Sequence, residues 1–174
     1  LLMVFKKRGD EIFTIVVTDG ALGGDQSRTL LKEKRKREAY AGLAELSIPL
    51  FLNLPDGDLG SDPKHKRIIK DEIFKIMPDL IITHSENDYH ADHKSLSLLT
   101  RSSISHYIPV IYCDTLFGVN FQPNYYVDIT EFFEKKKHAI LKHVSQKPNR
   151  FVDAASLMNS YRSAQCNSPL GSYA

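Results

Sequence analysis

The sequence predicts an α/β protein in which a mostly parallel sheet is flanked by helices, and three observations carry that expectation. Short apolar runs rich in β-branched residues alternate with longer stretches of helical spacing along the chain, the pattern of successive strand–helix units. The first three of those runs each end in a polar loop rich in glycine or aspartate, before the next helix. No repeat, low-complexity tract or long linker divides the 174 residues, a length suited to one domain.

The elements follow in order. Residues 1–8, LLMVFKKR, read as the end of an amphipathic helix stopped by Gly9. EIFTIVVTDG (11–20) is a nearly continuous apolar run, expected as a strand buried on both faces. A helix over 27–46 places Leu31, Ala39, Gly42, Leu43 and Leu46 on one side. IPLFLNL (48–54) is the second strand, and Ile69, Ile73 and Ile76 mark a helix over 63–77 that Pro78 ends. DLIITHS (79–85) is the third strand, and a helix over 91–107 has Leu96, Leu99, Ser103 and Tyr107 in register. Strands are expected at 109–114 and 125–130, and helices at 131–145 and 151–165. The whole reads as a Rossmann-like three-layer sandwich.

Composition narrows the function. Net charge is +2, with acidic and basic residues mixed along the chain, so no broad cationic field invites nucleic acid or an anionic membrane. No apolar stretch approaches the roughly 20 residues a membrane span needs. Cys113 and Cys166 lack CxxC spacing. A disulfide framework and a thiolate zinc site are therefore not expected, and a cytoplasmic location is the default.

Ligands of open α/β sheets bind beyond the carboxyl ends of the strands. The loops TDGALGG, NLPDGDLG and THSENDYHADH all follow strands, so parallel strands would bring them to one polar crevice. The third loop sets six candidate metal ligands, His84, Glu86, Asp88, His90, Asp92 and His93, into ten positions. With a helix starting near Ala91, His93 lies in its first turn on the line through Leu96 and Thr100, and points inward. His90 falls close to the same side. A helix N-terminus disfavours the imidazolium form, and a metal ligand must be neutral. Asp92 can orient a neighbouring ring. The competing reading is a solvated helix start, because Asp, Asn and His also cap free N–H groups. The loop by itself supplies one ligand, His93, where catalytic zinc takes about three from the protein.

Asp88-Tyr89-His90-Ala91-Asp92-His93, after the strand from Pro78 to His84, resembles the LmbE-like N-acetylglucosaminyl deacetylases, which include the glycosylphosphatidylinositol-anchor deacetylase. Val17-Thr18-Asp19-Gly20, Arg35-x-x-Glu38 and Leu54-Pro55-Asp56-Gly57 extend the resemblance, as does Val127-Asp128-Ile129-Thr130 leading to His143-x-Ser145-Gln146. It implies a Zn2+-dependent (or other divalent-metal) hydrolase that removes the acetyl group from an N-acetylated sugar conjugate. In that case His93 binds the metal, His90 polarises the acetyl carbonyl and Asp92 tunes His90. Arg35 and Asp56 approach the sugar. Asp88 is placed with the substrate-facing residues, although its position also suits a residue that holds a neighbouring group or caps the helix.

The family opens with a strand ending in His-Pro-Asp-Asp, which supplies two metal ligands and the aspartate that activates water. That motif is not in this sequence. Residues 1–174 are therefore expected to be one deacetylase domain shortened at the N-terminus, and at the C-terminus too, where Glu and an aromatic residue would follow Ala174. Relatives often assemble, so a homo-oligomer is possible. Two other functions compete. Gly20 to Gly24 could cradle a phosphate, but GALGG matches neither GxGxxG nor GxxxxGK[ST]. A non-catalytic sugar-binding module is the reading if the first motif is absent. His65, His138 and His143 read as solvated or structural, and Phe132, Phe133, Ile140 and Val144 as core.

Overall fold

The computed structural model describes residues 1–24, 26–104, 107–116, 120–169 and 171–174. The order is α1 (Leu2–Arg8), β1 (Ile15–Thr18), α2 (Arg28–Leu43), β2 (Leu50–Leu54), α3 (Pro63–Ile76), β3 (Ile81–His84), α4 (Ala91–Ile104), β4 (Val110–Cys113), α5 (Phe133–Leu141) and α6 (Asn149–Gln165). Short 3-10 turns cover Thr130–Phe132 and Val144–Gln146. The α/β class is as the sequence predicts.

β3 and β4 pair in parallel, from Ile81 opposite Val110 to His84 opposite Cys113. β1 lies beside β2. Leu50 N–H donates to Thr14 O at one end and Asp19 N–H to Leu54 O at the other. Both strands advance the same way between those bonds, so this pair is parallel too. Among the described residues no ladder joins the two pairs. All four residues of β1 are half-buried, where burial on both faces was expected, and all four of β3 are half-buried as well. Among the described residues each of these strands has one ladder neighbour.

The chain forms two compact units: residues 17–22 with 51–122, and residues 1–16 with 23–50 and 123–174. In the first, Leu54, Leu59, Ile69, Ile73 and Ile104 form the core, with Leu96, Leu99 and Val110 packed against it. α3 starts cleanly because Pro63 occupies its first position and Asp62 accepts the Lys64 N–H at 2.8 Å. It stops at Met77, which takes a left-handed φ of 49° before Pro78. Ile104 is 1% exposed, burial worth about 2 kcal/mol. α4 ends there, and Tyr107, expected on its apolar line, is exposed beyond it. Residues 105 and 106 of the expected helix lie outside the described residues.

In the second unit α2 buries Leu31, Glu38 and Ala39. Gly42 lets α2 pass close to His143 and the Ala139 carbonyl, where a Cβ would lie 3.0 Å from His143 Nε2 and 3.2 Å from Ala139 O. The Glu38 carboxylate is buried and accepts from Ser145 N–H at 2.8 Å and Ser145 Oγ–H at 2.6 Å. Phe133 is buried and stacks on Tyr173 at 3.7 Å. The strand expected over 125–130 does not form. Asp128 Oδ1 accepts the Thr130 N–H and Ile129 N–H donates to Tyr173 O, which turns the chain into a 3-10 turn. Local side-chain capping wins over extension there. Val144, expected in the core, is exposed because α5 ends at Leu141.

Candidate functional site

β3 feeds directly into the histidine loop. Ser85 Oγ accepts the Asn87 N–H, and Ser85 O accepts that of Asp88. Asp88 Oδ1 then accepts the His90 N–H at 2.8 Å, and His90 Nδ1 accepts the Asp92 N–H at 3.2 Å. Two side chains thus satisfy backbone donors in succession and start α4 at Ala91.

That path gathers three imidazoles. His84 and His93 stack with centroids 3.9 Å apart and planes 12° apart, and His90 lies 4.7 Å from His93. Tyr89 meets both His90 and His93 edge-on at 6.2 Å. His93 turns inward, as expected, with its side chain 30% exposed. Nδ1 of His84 and Nδ1 of His93 are both buried without an aligned hydrogen bond. Burial, reinforced by His93 and His90 and opposed by Asp88, pushes His84 down to about 4. It is a neutral ring at pH 7.

Asp88 backs the cluster. Its side chain has no exposed surface and Oδ1 stands 3.1 Å from His93 Nδ1. Oδ2 accepts from Thr115 Oγ1 at 2.7 Å. Burial would raise this carboxyl, but hydrogen bonds from Thr115 and the His90 backbone, with the nearby His93 ring adding to them, outweigh it and hold the group below the usual carboxylate range. Asp88, expected toward substrate, therefore lies behind His93. Sequence reasoning passed over Thr115, a lone threonine after β4, and its pairing with Asp88 is visible only in space.

The Asp92 side chain also faces away from His90. Its carboxylate accepts from Gly57 N–H at 2.8 Å and Leu59 N–H at 3.2 Å, while its backbone N–H is the group that meets His90. Asp56 Oδ2 accepts from Leu22 N–H at 2.9 Å, and Asp56 N–H donates to Asp19 Oδ1 at 3.3 Å. Gly57 takes φ 80°, a left-handed conformation that a side chain would strain, and a Cβ there would also push on the end of the Leu22 side chain, 2.6 Å away. The loops after β1, β2 and β3 are thereby tied together by hydrogen bonds. Arg35, half-buried in the other unit, donates to Gly23 O at 3.2 Å. Glu86 pairs with Arg101 at 3.6 Å near the surface, on the wall of an open cleft of about 400 Å³ shared with Ser85, Asn87, Tyr112 and Phe121.

Among the described residues no three His, Cys, Asp or Glu side chains converge as a metal-ligand set. The donors present fit part of one: an inward imidazole with a buried carboxylate behind it, beside a second ring that is neutral. No helix among the described residues is long and apolar enough to cross a membrane.

A mixed α/β fold with a histidine-bearing loop at the carboxyl end of a parallel strand defines the class. A family profile described as PIG-L, GlcNAc-PI de-N-acetylase, matches residues 1–104, and the chain belongs to that family. A search of curated proteins gives no match. Three solved structures share the fold with a TM-score of 0.82. The 4-carboxy-2-hydroxymuconate hydratase of Pseudomonas putida is 18% identical over 95% of this chain and 79% of its own. A conserved protein of Thermus thermophilus is 20% identical over 96% and 81%. The N,N'-diacetylchitobiose deacetylase of Pyrococcus horikoshii is 20% identical over 96% and 73%. One of these is a hydratase and one a deacetylase, so the fold alone does not select the reaction.

Proposed function

We propose that this chain belongs to a metal-dependent N-deacetylase that hydrolyses the acetamide of an N-acetylglucosamine-type sugar conjugate. The observation that carries the reading is the inward His93, set between His84 and His90 with a buried carboxylate at its back. The family match and the deacetylase among the neighbours support it. When bound, a zinc or similar ion supplies Lewis acidity and lowers the pKa of a coordinated water to about 7.

His93 holds the ion. His90 accepts a backbone N–H at Nδ1, so its neutral ring carries hydrogen on Nε2 and donates there to the acetyl oxygen as negative charge develops. Asp92 locks the first turn of α4 to the backbone of 57–59, giving His90 and His93 a fixed base. Asp56, in the unit that carries the three histidines, contacts sugar hydroxyls.

Acetate release from a panel of N-acetylglucosamine conjugates, with the protein expressed from its full reading frame, tests the reaction. One zinc per chain is expected. His93→Ala loses most of it, and His90→Ala keeps the metal but loses roughly 100-fold or more in turnover. Full metal in His93→Ala overturns the ligand assignment. Metal-loaded protein that releases no acetate but adds water to an unsaturated acid overturns the deacetylase reading in favour of hydratase chemistry.

A further inference from the structure

We propose that Asp88, itself held by Thr115, is a positioning residue that fixes His93 as the Nδ1–H tautomer and thereby presents its Nε2 lone pair to a divalent ion. The inference rests on the metal-site reading above and adds two residues, one of them on the loop after β4.

A carboxylate ion accepts hydrogen bonds and donates none. Asp88 Oδ2 is filled by the Thr115 hydroxyl at 2.7 Å, and Oδ1 takes the His90 N–H at 2.8 Å. The same Oδ1 stands 3.1 Å from the buried Nδ1 of His93. A bare imidazole lone pair facing that oxygen at 3.1 Å would set two acceptors against each other at a separation too short for a water between them. An N–H there is attractive, and it leaves Nε2 bare. The contact is close but oblique, as is common for site hydrogen bonds that tighten when the complex forms.

His90 is locked the other way. Its Nδ1 accepts the Asp92 N–H, so its proton sits on Nε2. Rings 4.7 Å apart therefore carry opposite tautomers: one offers a lone pair, the other a proton. Asp88 governs both, since it binds the His90 backbone as well as facing the His93 ring. Thr115 makes the loop after β4 part of this device, because removing its hydroxyl frees Oδ2 to rotate the carboxylate.

Two-bond 1H–15N NMR of the imidazoles in metal-free, full-reading-frame protein reads the tautomers directly. The expected pattern is Nδ1–H for His93 and Nε2–H for His90. Asp88→Asn, whose amide can turn a donor toward Nδ1, shifts His93 toward Nε2–H and weakens Zn2+ binding about 10- to 100-fold, measured by competition with a chromophoric chelator. Thr115→Val moves both readouts the same way by a smaller factor, and Thr115→Ser restores them. Thr115→Val also decides the matter if Asp88→Asn does not fold. A wild-type His93 in the Nε2–H form overturns the proposal. So do Asp88 and Thr115 variants with unchanged tautomer and Zn2+ affinity. Absence of acetate release would count against the deacetylase reading and leave the tautomer result standing, so the two failures are distinct.

Discussion

His65 and His93 occupy the same place in two helices. Each is the third residue of a helix that follows a strand, α3 in one case and α4 in the other. Their Nδ1 atoms meet opposite partners. His65 Nδ1 accepts the Gly60 N–H at 3.1 Å and the residue is only 6% exposed. His93 Nδ1 faces the Asp88 carboxylate. A backbone donor turns the first ring into a strut for the loop after β2. A carboxylate acceptor turns the second into a candidate ligand. Position in the helix is common to both, and the atom opposite Nδ1 decides the role.

The largest expected effect breaks this comparison if it fails. His93→Ala removes the metal, with little change in the melting temperature of the metal-free protein. His65→Ala keeps the metal and loses about 2 kcal/mol through an unsatisfied Gly60 N–H and a cavity. For a chain of this size that is a fall in Tm of about 4–8 °C. Metal analysis paired with thermal unfolding of the two variants checks both halves. Loss of zinc in His65→Ala would show that the two histidines are not separable.

Why one histidine could be placed from sequence and the other could not is a matter of what each contact depends on. The strand before each loop, the helix after it and the inward line from His93 through Leu96 and Thr100 depend on periodicity, which a sequence displays. The clustering of the loops followed from parallel strands. The partners of buried polar atoms did not follow, because Gly60, Thr115 and Gly57 carry no pattern that announces which side chain they will meet. Asp92 and Asp88 were legible as residues of this loop, but not the direction in which either carboxylate points. The missing strand at 125–130 has the same origin: β-branched composition was visible, while the Asp128 cap and the Tyr173 carbonyl that replace a ladder were not.

A second carboxylate sharpens the contrast between strut and ligand holder. Glu38, like Asp88, is buried and spends both oxygens on hydrogen bonds, but its donors are the backbone and hydroxyl of Ser145. It pins the turn Val144–Gln146 and orients no imidazole through its oxygens. Glu38→Ala is expected to cost about 3 kcal/mol, because two charge-assisted bonds go and a backbone N–H is left without its acceptor. Glu38→Gln recovers much of that, since the amide oxygen still accepts. Urea unfolding of the two variants measures the difference. Equal losses would mean that the charge, not the bond geometry, holds the turn.

The smallest effect concerns His143, beside Gly42 of α2. Burial pushes its imidazole below the ordinary value, with Glu38 opposing and Arg35 adding to the shift. The unfolded chain takes up a proton near about 6.5, where the folded protein resists it. The native state then binds fewer protons, so stability is full above that pH, falls as pH drops through it, and levels off below the folded value. His84 is lowered as well and contributes a slope of the same sign, so the raw pH dependence does not isolate either group. The difference between wild type and His143→Gln does: unfolding midpoints from pH 7.5 to about 5 should fall less steeply in the variant. In Glu38→Gln the opposing charge is gone, the folded value of His143 drops further, and the fall becomes deeper. Parallel curves for wild type and His143→Gln would assign the whole slope to His84 and its ring stack, and would leave His143 as packing against Gly42 alone.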